Sequence, residues 1–160
     1  MIVSRIKKIA FIIVIMVTWG VFLTGCSGAK KSPFDKIKVS MTKEEVHKAL
    51  GEPDYVSTSS YDVEDWYNIK AFGLTGELSV WYGREHIDHV YWTVKLNDDD
   101  HVDKHEKEVT AIVNYYNDKC GQPTLPNSYY PASTKYIWED VVGTEYLLFL
   151  ESHEIEIEMD

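Results

Sequence analysis

Hydrophobic residues recur at two spacings along residues 40 to 160, and the spacing changes from helical to extended twice. The first helical segment follows Thr42 and Glu45, which have the spacing of a capping box, so we expect the helix to begin at Lys43. Gly51 provides a left-handed stop, and the helix is therefore predicted to end at about Leu50. Its apolar stripe is narrow, which indicates that this helix packs on a larger element.

Three segments after this helix alternate apolar and polar residues and are rich in aromatic and β-branched side chains. That pattern is typical of antiparallel strands, which we predict at Tyr61 to Ile69, Glu77 to Tyr82 and Ile87 to Val94. The residues YGREH between the last two segments are predicted to form a tight turn, in which Gly83 takes a positive φ.

The same order of elements recurs in the second half of the chain. A longer helix has apolar residues along one side from Val102 to Cys120 and ends at Gly121, which is 121 − 51 = 70 residues after Gly51. Three more alternating segments follow, at Tyr136 to Val142, Glu145 to Leu150 and Glu154 to Met159. The sequence therefore predicts an α+β fold: two tandem helix-plus-three-strand units, about residues 33–97 and 98–160, form one antiparallel sheet with helices packed on one face.

The two faces of this predicted sheet differ in composition. One face is apolar and is expected under the helices, with Leu78, Val80, Tyr82, Val90, Trp92 and Val94 in the first unit and Tyr146, Leu148, Leu150, Ile155, Ile157 and Met159 in the second. The other face combines aromatic and hydrogen-bonding side chains, as interface cores do. We predict that it binds a protein partner through Trp81, His89, Tyr91 and Phe149. The alternative is that Trp81 and Phe149 cover each other where the units meet.

The N-terminal segment has the pattern of an export signal. Three basic residues precede an apolar stretch from Ile9 to Leu23, which is shorter than the roughly 20 residues of a spanning helix. The residues LTGC at 23–26 resemble the lipobox of bacterial lipoproteins, which implies cleavage before Cys26 and a diacylglyceryl group on its sulfur. We therefore expect a signal peptide over 1–25, a lipidated tether over 26–32 and a folded domain over 33–160.

The mature chain is strongly acidic, which limits its partners. Removing residues 1–25 removes three of the 16 Lys and Arg and none of the 26 Asp and Glu, so the formal charge becomes 13 − 26 = −13. This charge disfavours nucleic acid as a partner. The expected location is the cell envelope, where the lipid on Cys26 anchors the protein in the outer leaflet of the cell membrane or, in a two-membrane bacterium, in the outer membrane.

A short helix written Ser-Met-Thr-x-x-x-Val, closed by Gly-x-Pro and followed by an antiparallel meander, lies at Val39 to Val94. This segment resembles the small-lipoprotein superfamily of the outer-membrane assembly factor BamE (SmpA/OmlA). The tandem arrangement is similar to that of the β-lactamase inhibitory protein. The resemblance implies non-catalytic protein binding on an α+β scaffold, with an unknown envelope protein as the partner.

Two histidine clusters are candidates for metal binding. The first combines His101, His105 and Glu108 with the acidic residues Asp98 to Asp100, and it is expected to be a solvated helix cap. The second contains Glu85, His86, Asp88 and His89, which alternate sides along a hairpin and are not expected to converge.

Catalytic motifs give no positive argument for an enzyme. The chain has no Gly-rich phosphate loop and no G-x-S-x-G motif. Cys120 falls at the end of a helix, where the dipole disfavours a thiolate. We expect no catalytic residue, no cofactor and no bound metal. The alternative function is an envelope metal-binding protein or enzyme that uses the histidine clusters.

Overall fold

The fold is α+β, with one seven-stranded antiparallel sheet and two α-helices. A computed structural model describes residues 31–58, 63–125 and 133–160. The strands lie in the order β1-β2-β3-β4-β7-β6-β5. In chain order the elements are α1 (Lys43–Leu50), β1 (Tyr55–Thr58), β2 (Val63–Ala71), β3 (Leu74–Tyr82), β4 (Ile87–Lys95), a 3₁₀ turn (Val102–His105), α2 (Glu106–Cys120), β5 (Thr134–Glu139), β6 (Glu145–Glu151) and β7 (Glu154–Met159).

Local capping defines α1 as the sequence predicts. The Glu45 N–H donates to the Thr42 hydroxyl at 3.4 Å, and the Thr42 N–H donates to the Glu45 carboxylate at 3.0 Å. Gly51 ends the helix with a φ of 96°. The buried Val46 faces the core. Eight residues alone make a marginal helix, so this contact with the sheet supplies most of its stability.

The turns between the first strands differ from those predicted. β2 and β3 are joined by a two-residue turn at Phe72 and Gly73, whose φ angles are 52° and 95°. Both strands therefore reach this turn, since β2 ends two residues later than predicted and β3 begins three residues earlier. Gly83 does not take a positive φ, and the next turn is closed instead by its N–H, which donates to the His86 carbonyl at 3.0 Å.

The two halves of the chain also differ in layout. β1 adds a fourth strand to the first half at the sheet edge, where its exposed and half-exposed residues gave no alternating signal. In the second half, the first turn of the predicted helix is the 3₁₀ turn, and β5 ends at Glu139. The strand ends there because the Asp140 carboxylate accepts hydrogen bonds from the N–H groups of Val142 and Thr144 at 2.9 and 3.0 Å.

The core lies between the helices and one face of the sheet. The predicted apolar face is buried, except that Leu150 is only partly buried. From the helices the core receives Val46, Ala111, Ile112 and Tyr116. Trp92 is fully buried, and its indole N–H donates to the Ile69 carbonyl at 3.3 Å. Among the described residues, no helix covers the opposite face of the sheet.

The predicted signal peptide, Cys26 and most of the expected tether lie outside the described residues. Ser32, the last residue of that tether, is buried, and its hydroxyl lies 2.9 Å from the Tyr116 hydroxyl. Within the described ranges, no helix has both the length and the apolar character needed to cross a membrane.

Candidate functional site

The face of the sheet opposite the helices contains an open groove with a volume of about 480 Å³. Its walls come from β2, β3, β4 and β7, which are adjacent in the sheet. Because side chains alternate along a strand, each of these strands contributes every second residue to the groove. The aromatic lining residues are Trp66, Trp81 and Tyr91, and the acidic ones are Glu64, Glu77, Glu154 and Glu156.

Cross-strand pairing brings three of the four predicted binding residues together. Trp81 lies opposite His89 in the β3–β4 register, and Ser79 lies opposite Tyr91. The rings of His89 and Tyr91 are 6.2 Å apart between centroids. Trp81, His89 and Tyr91 are each half-buried, so they are fixed by the sheet and still reachable from solvent.

Phe149 does not join this cluster. It lies on β6, which is separated from the Trp81 strand by β4 and β7. Three interstrand spacings of about 4.8 Å put these two strands about 14 Å apart, and Phe149 lies at a different register level, opposite Glu156. The expectation that Trp81 and Phe149 cover each other is therefore wrong, and Trp81 does not pack against Phe149 where the two halves of the sheet meet.

Two residues of the groove, Glu64 and Trp66, were missed by sequence reasoning. Both lie on β2, with Glu64 opposite Trp81 and Trp66 opposite Ser79. Glu64 is only 8% exposed. Among the described residues, its Oε1 atom and the Trp66 Nε1 atom are buried without a hydrogen-bond partner. The alternation of side chains along β2 puts Glu64 and Trp66 on the same face of that strand. The sequence does not show that β2 pairs with β3, and this pairing is what brings both residues into the groove.

Burial of Glu64 has an electrostatic consequence. Desolvation raises the pKa of its carboxyl above the ordinary value, and the nearby side chains of Ser79, Trp66 and Trp81 offset this only in part. A carboxylate in such a position favours a ligand that donates hydrogen bonds or carries positive charge.

The acidic row on β7 faces the same side of the sheet. Burial raises the pKa of Glu156, although the Thr93 hydroxyl donates to its carboxylate at 2.9 Å and partly offsets the shift. Burial, and next the charge of Asp160, raise the pKa of Glu158 to about 7. The three glutamates on this short strand create a field that attracts cations, to which Glu158 contributes less than a full negative charge at neutral pH.

A second cleft of similar volume, about 540 Å³, lies on the helix side beside the segment 34–40. Two of its polar side chains, Asp35 and Lys119, already have partners. Asp35 accepts hydrogen bonds from the Tyr115 hydroxyl and the Ser32 N–H, and the Lys119 ammonium donates to the Tyr146 hydroxyl at 2.9 Å. The open groove is the better candidate site, because one Glu64 oxygen and the Trp66 indole N–H are buried there without a hydrogen-bond partner among the described residues.

The first histidine cluster is divided between separate partners. His105 Nε2 lies 2.9 Å from the Asp100 carboxylate, and its other ring nitrogen lies 3.8 Å from Glu108. The His105 contact lowers the pKa of Asp100. The His101 ring packs against His153 with 4.3 Å between centroids. The cluster lies at the start of the helical segment, but His101 and His105, the residues that precede the 3₁₀ turn and α2, make no side-chain cap hydrogen bond there.

Among the described residues, the second histidine cluster does not converge as a group of four: Asp88 and His89 are in contact, and the other carboxylates near His89 belong to Glu158 and Asp160. Tyr82 pairs with Ile87 and Trp81 with His89, so Asp88 is an extra, unpaired residue in a β-bulge. The bulge places the Asp88 carboxylate 3.5 Å from His89 Nε2. Glu158 and Asp160 on and beyond β7 reach the other ring nitrogen, at 3.9 and 2.6 Å. The Asp160 hydrogen bond raises the pKa of His89. Glu85 and His86 do not take part in these contacts.

Cys120 is partly buried at the end of α2 and packs against the core. Burial raises the pKa of its thiol, and the charge of Lys119 offsets this only in part. A thiol with a raised pKa is protonated at neutral pH, which makes Cys120 a poor nucleophile.

No family model, curated protein or solved structure matches this chain. Its function is therefore inferred from the site.

Proposed function

We propose that this protein is an exported, lipid-anchored protein of the cell envelope that acts as a non-catalytic protein-binding module. The partner docks on the open face of the sheet. The observation that carries this proposal is the pair of unpaired polar atoms in the groove, Glu64 Oε1 and Trp66 Nε1. Leaving such groups buried without partners costs stability, and a partner that supplies a donor and an acceptor removes that cost.

The aromatic side chains of the groove supply the contact area. Trp81 and Tyr91 are rigid, large and half-buried, so a partner gains apolar contact with them at little loss of side-chain entropy. His89 lies beside both. Phe149, also half-buried on the same face, lies toward the other end and serves a partner long enough to cross β4 and β7.

Charge defines the kind of partner. Four carboxylates line the groove together with one lysine, Lys95. A basic side chain of the partner placed between the indoles gains both ion pairing and a cation–π contact. We therefore propose that the partner is an envelope protein that presents Lys or Arg beside apolar residues. The resemblance to non-catalytic binding proteins agrees with this function.

The proposed lipid anchor on Cys26 limits the locations in which the domain can contact its partner. With Cys26 lipidated and Ser32 buried in the domain, the connection between them extends at most about 20 Å. The folded domain therefore stays close to the membrane surface. A partner that is itself in the membrane, or that assembles at its surface, is within reach.

We also infer that the domain consists of two related units, about residues 33–97 and 98–160. The strand order supports this inference, because β2-β3-β4 and β5-β6-β7 run outward from a central antiparallel pair of β4 and β7. Similar helix endings support it further, since Gly51 and Gly121 have φ angles of 96° and 91°. The groove then lies mainly on the first unit and at its junction with the second.

Site-specific photo-crosslinking in membranes of the producing cell tests the proposed function. The crosslinker replaces Glu77, an exposed residue at the edge of the groove, or, as the control, Val141, which is fully exposed in the turn after β5. We expect a discrete adduct with one envelope protein from position 77 and none from position 141. Equal adducts from both positions, or adducts from position 141 alone, would contradict the proposal.

A further inference from the structure

One corner of the open sheet face brings a histidine and carboxylates into close contact. His89 lies near the start of β4, and Glu158 and Asp160 lie at the end of the chain, next to it across the sheet. The Nδ1 atom of His89 is 2.6 Å from Asp160 Oδ1 and 3.9 Å from Glu158 Oε1. Within the part of the chain that the structure describes, this is the one trio of such side chains whose ligand atoms all lie within 4.8 Å of one another.

We propose that His89, Glu158 and Asp160 form a binding site for one divalent transition-metal ion, for which Zn²⁺ is the best match. An imidazole nitrogen and two carboxylate oxygens are ligands that zinc accepts. Zinc bonds of about 2.0 to 2.2 Å in a tetrahedron separate neighbouring ligand atoms by about 3.4 Å. The two distances from His89 Nδ1 lie on either side of that value, so small side-chain rotations admit the ion.

The charge of the cluster favours a cation. Three carboxylates, those of Asp88, Glu158 and Asp160, lie within 3.9 Å of the imidazole nitrogens. Their formal charge together with the ring is −3 when His89 is neutral and −2 when it is protonated. A divalent ion neutralises more of this charge than one proton does.

Burial gives the site one fixed ligand and two accessible ones. The Glu158 side chain is 14% exposed, whereas those of His89 and Asp160 are 43% and 39% exposed. The Asp160 backbone is held by two hydrogen bonds with Glu145, at 3.0 and 3.1 Å. The sheet therefore orients the trio, and its exposed side leaves room for water or another ligand at the fourth position.

The other histidine cluster provides a contrast within the same molecule. His105 is in contact with Asp100 and Glu108, and the Nδ1–H of His153 donates to the Asp100 carbonyl oxygen at 2.8 Å. No trio of their ligand atoms converges among the described residues as closely as that of His89. His89 also lines the groove, so the corner site adjoins the proposed docking surface. A titration with metal needs no partner, so either proposal can fail without the other.

Calorimetric titration of the metal-free, full-length mature protein in detergent with ZnCl₂ tests the proposal. We expect one ion per chain and a Kd that is raised at least tenfold by Asp160→Asn and at least a hundredfold by His89→Gln. Two matched controls, His86→Gln in the adjacent turn and His101→Gln in the other cluster, are expected to leave the Kd unchanged. Thermal melts of the metal-free variants serve as the control that each variant is folded.

Substituting Co²⁺ for Zn²⁺ provides a second measurement on the same samples. Its visible absorption is expected to have the intensity of a four-coordinate ion and to disappear in His89→Gln. The proposal is overturned if no stoichiometric binding occurs, if Asp160→Asn binds as well as the original chain, or if His101→Gln removes the signal.

Discussion

Glu64 has an environment that opposes the ionised state of its side chain. It is 8% exposed, and one of its oxygens has no hydrogen-bond partner among the described residues. A carboxyl whose pKa is raised in the folded state contributes its stability below the unfolded value of 4.5, and this stability is lost as pH rises through the folded value. Glu64 is therefore kept in the groove at a cost to stability at neutral pH, which agrees with a binding role.

The first prediction follows from that cost. Glu64→Gln removes the charge with little change in shape, and we expect it to stabilise the fold by about 1 kcal/mol at pH 7 and by nearly nothing at pH 4. Urea melts at the two pH values measure the difference. Glu85→Gln, at an exposed position in the turn after β3, is the control and is expected to change neither value. Destabilisation by Glu64→Gln at pH 7 would contradict the prediction.

Gly76 allows Trp92 to lie flat against the neighbouring strand. A Cβ atom at position 76 would lie 2.8 Å from the Trp92 indole and 2.8 Å from the Thr93 carbonyl oxygen. We expect Gly76→Ala to destabilise the fold by about 2 kcal/mol, because the buried indole must move. Gly83→Ala is the matched control, since its nearest contact is 3.8 Å, and is expected to cost less than about 0.5 kcal/mol. Chemical denaturation measures the free energy of unfolding of both variants. Equal losses would contradict the prediction, because they would show that the Trp92 side chain moves at no cost.

At the scale of elements, the two faces of β3 and β4 differ in burial. Trp92 is fully buried under the helices, whereas Trp81 is half-buried in the groove. We expect Trp81→Ala to weaken binding of the purified partner by about 2 kcal/mol and to change stability little. Trp92→Ala is expected to cost about 3 to 5 kcal/mol of stability. If thermal melts show equal losses for both, Trp81 serves packing rather than binding.

The pairing of β4 with β7 joins the two halves of the chain. Six residue pairs, from Val90 with Met159 to Lys95 with Glu154, form this junction. Residues 33–97 alone would expose the edge of β4 and its apolar face, so we expect that fragment to be poorly folded or self-associating. Size-exclusion chromatography and thermal melting test this. A monomeric fragment with a cooperative melt would show two independent domains instead.

At the scale of the whole molecule, the proposed lipid anchor can be tested directly. Cys26 is the thiol of the predicted lipobox, so Cys26→Ala is expected to block lipid attachment and processing. Metabolic labelling with a fatty-acid analogue measures attachment. Cys120→Ala is the matched control and should keep the label, because Cys120 lies in the folded domain. A labelled Cys26→Ala variant would exclude this anchor.

Local interactions explain the parts of the fold that the sequence determined by itself. The start of α1 depends on Thr42 and Glu45, which are three positions apart. Its end depends on Gly51, whose N–H donates to the His47 carbonyl four positions earlier. The two faces of β3 and β4 follow from alternation within each strand. Such features can be predicted from short stretches of sequence, because a helix cap or a strand face needs no distant partner.

Strand order and register decided the composition of the candidate sites, and these depend on the tertiary structure. Trp81 meets Glu64 because β2 pairs with β3 in one particular register, and it is separated from Phe149 because β4 and β7 lie between their strands. His89 meets Asp160 across 71 positions of sequence. Alternation gives the face of a residue but not its cross-strand neighbour, since the neighbour is selected by burial of the whole sheet against both helices.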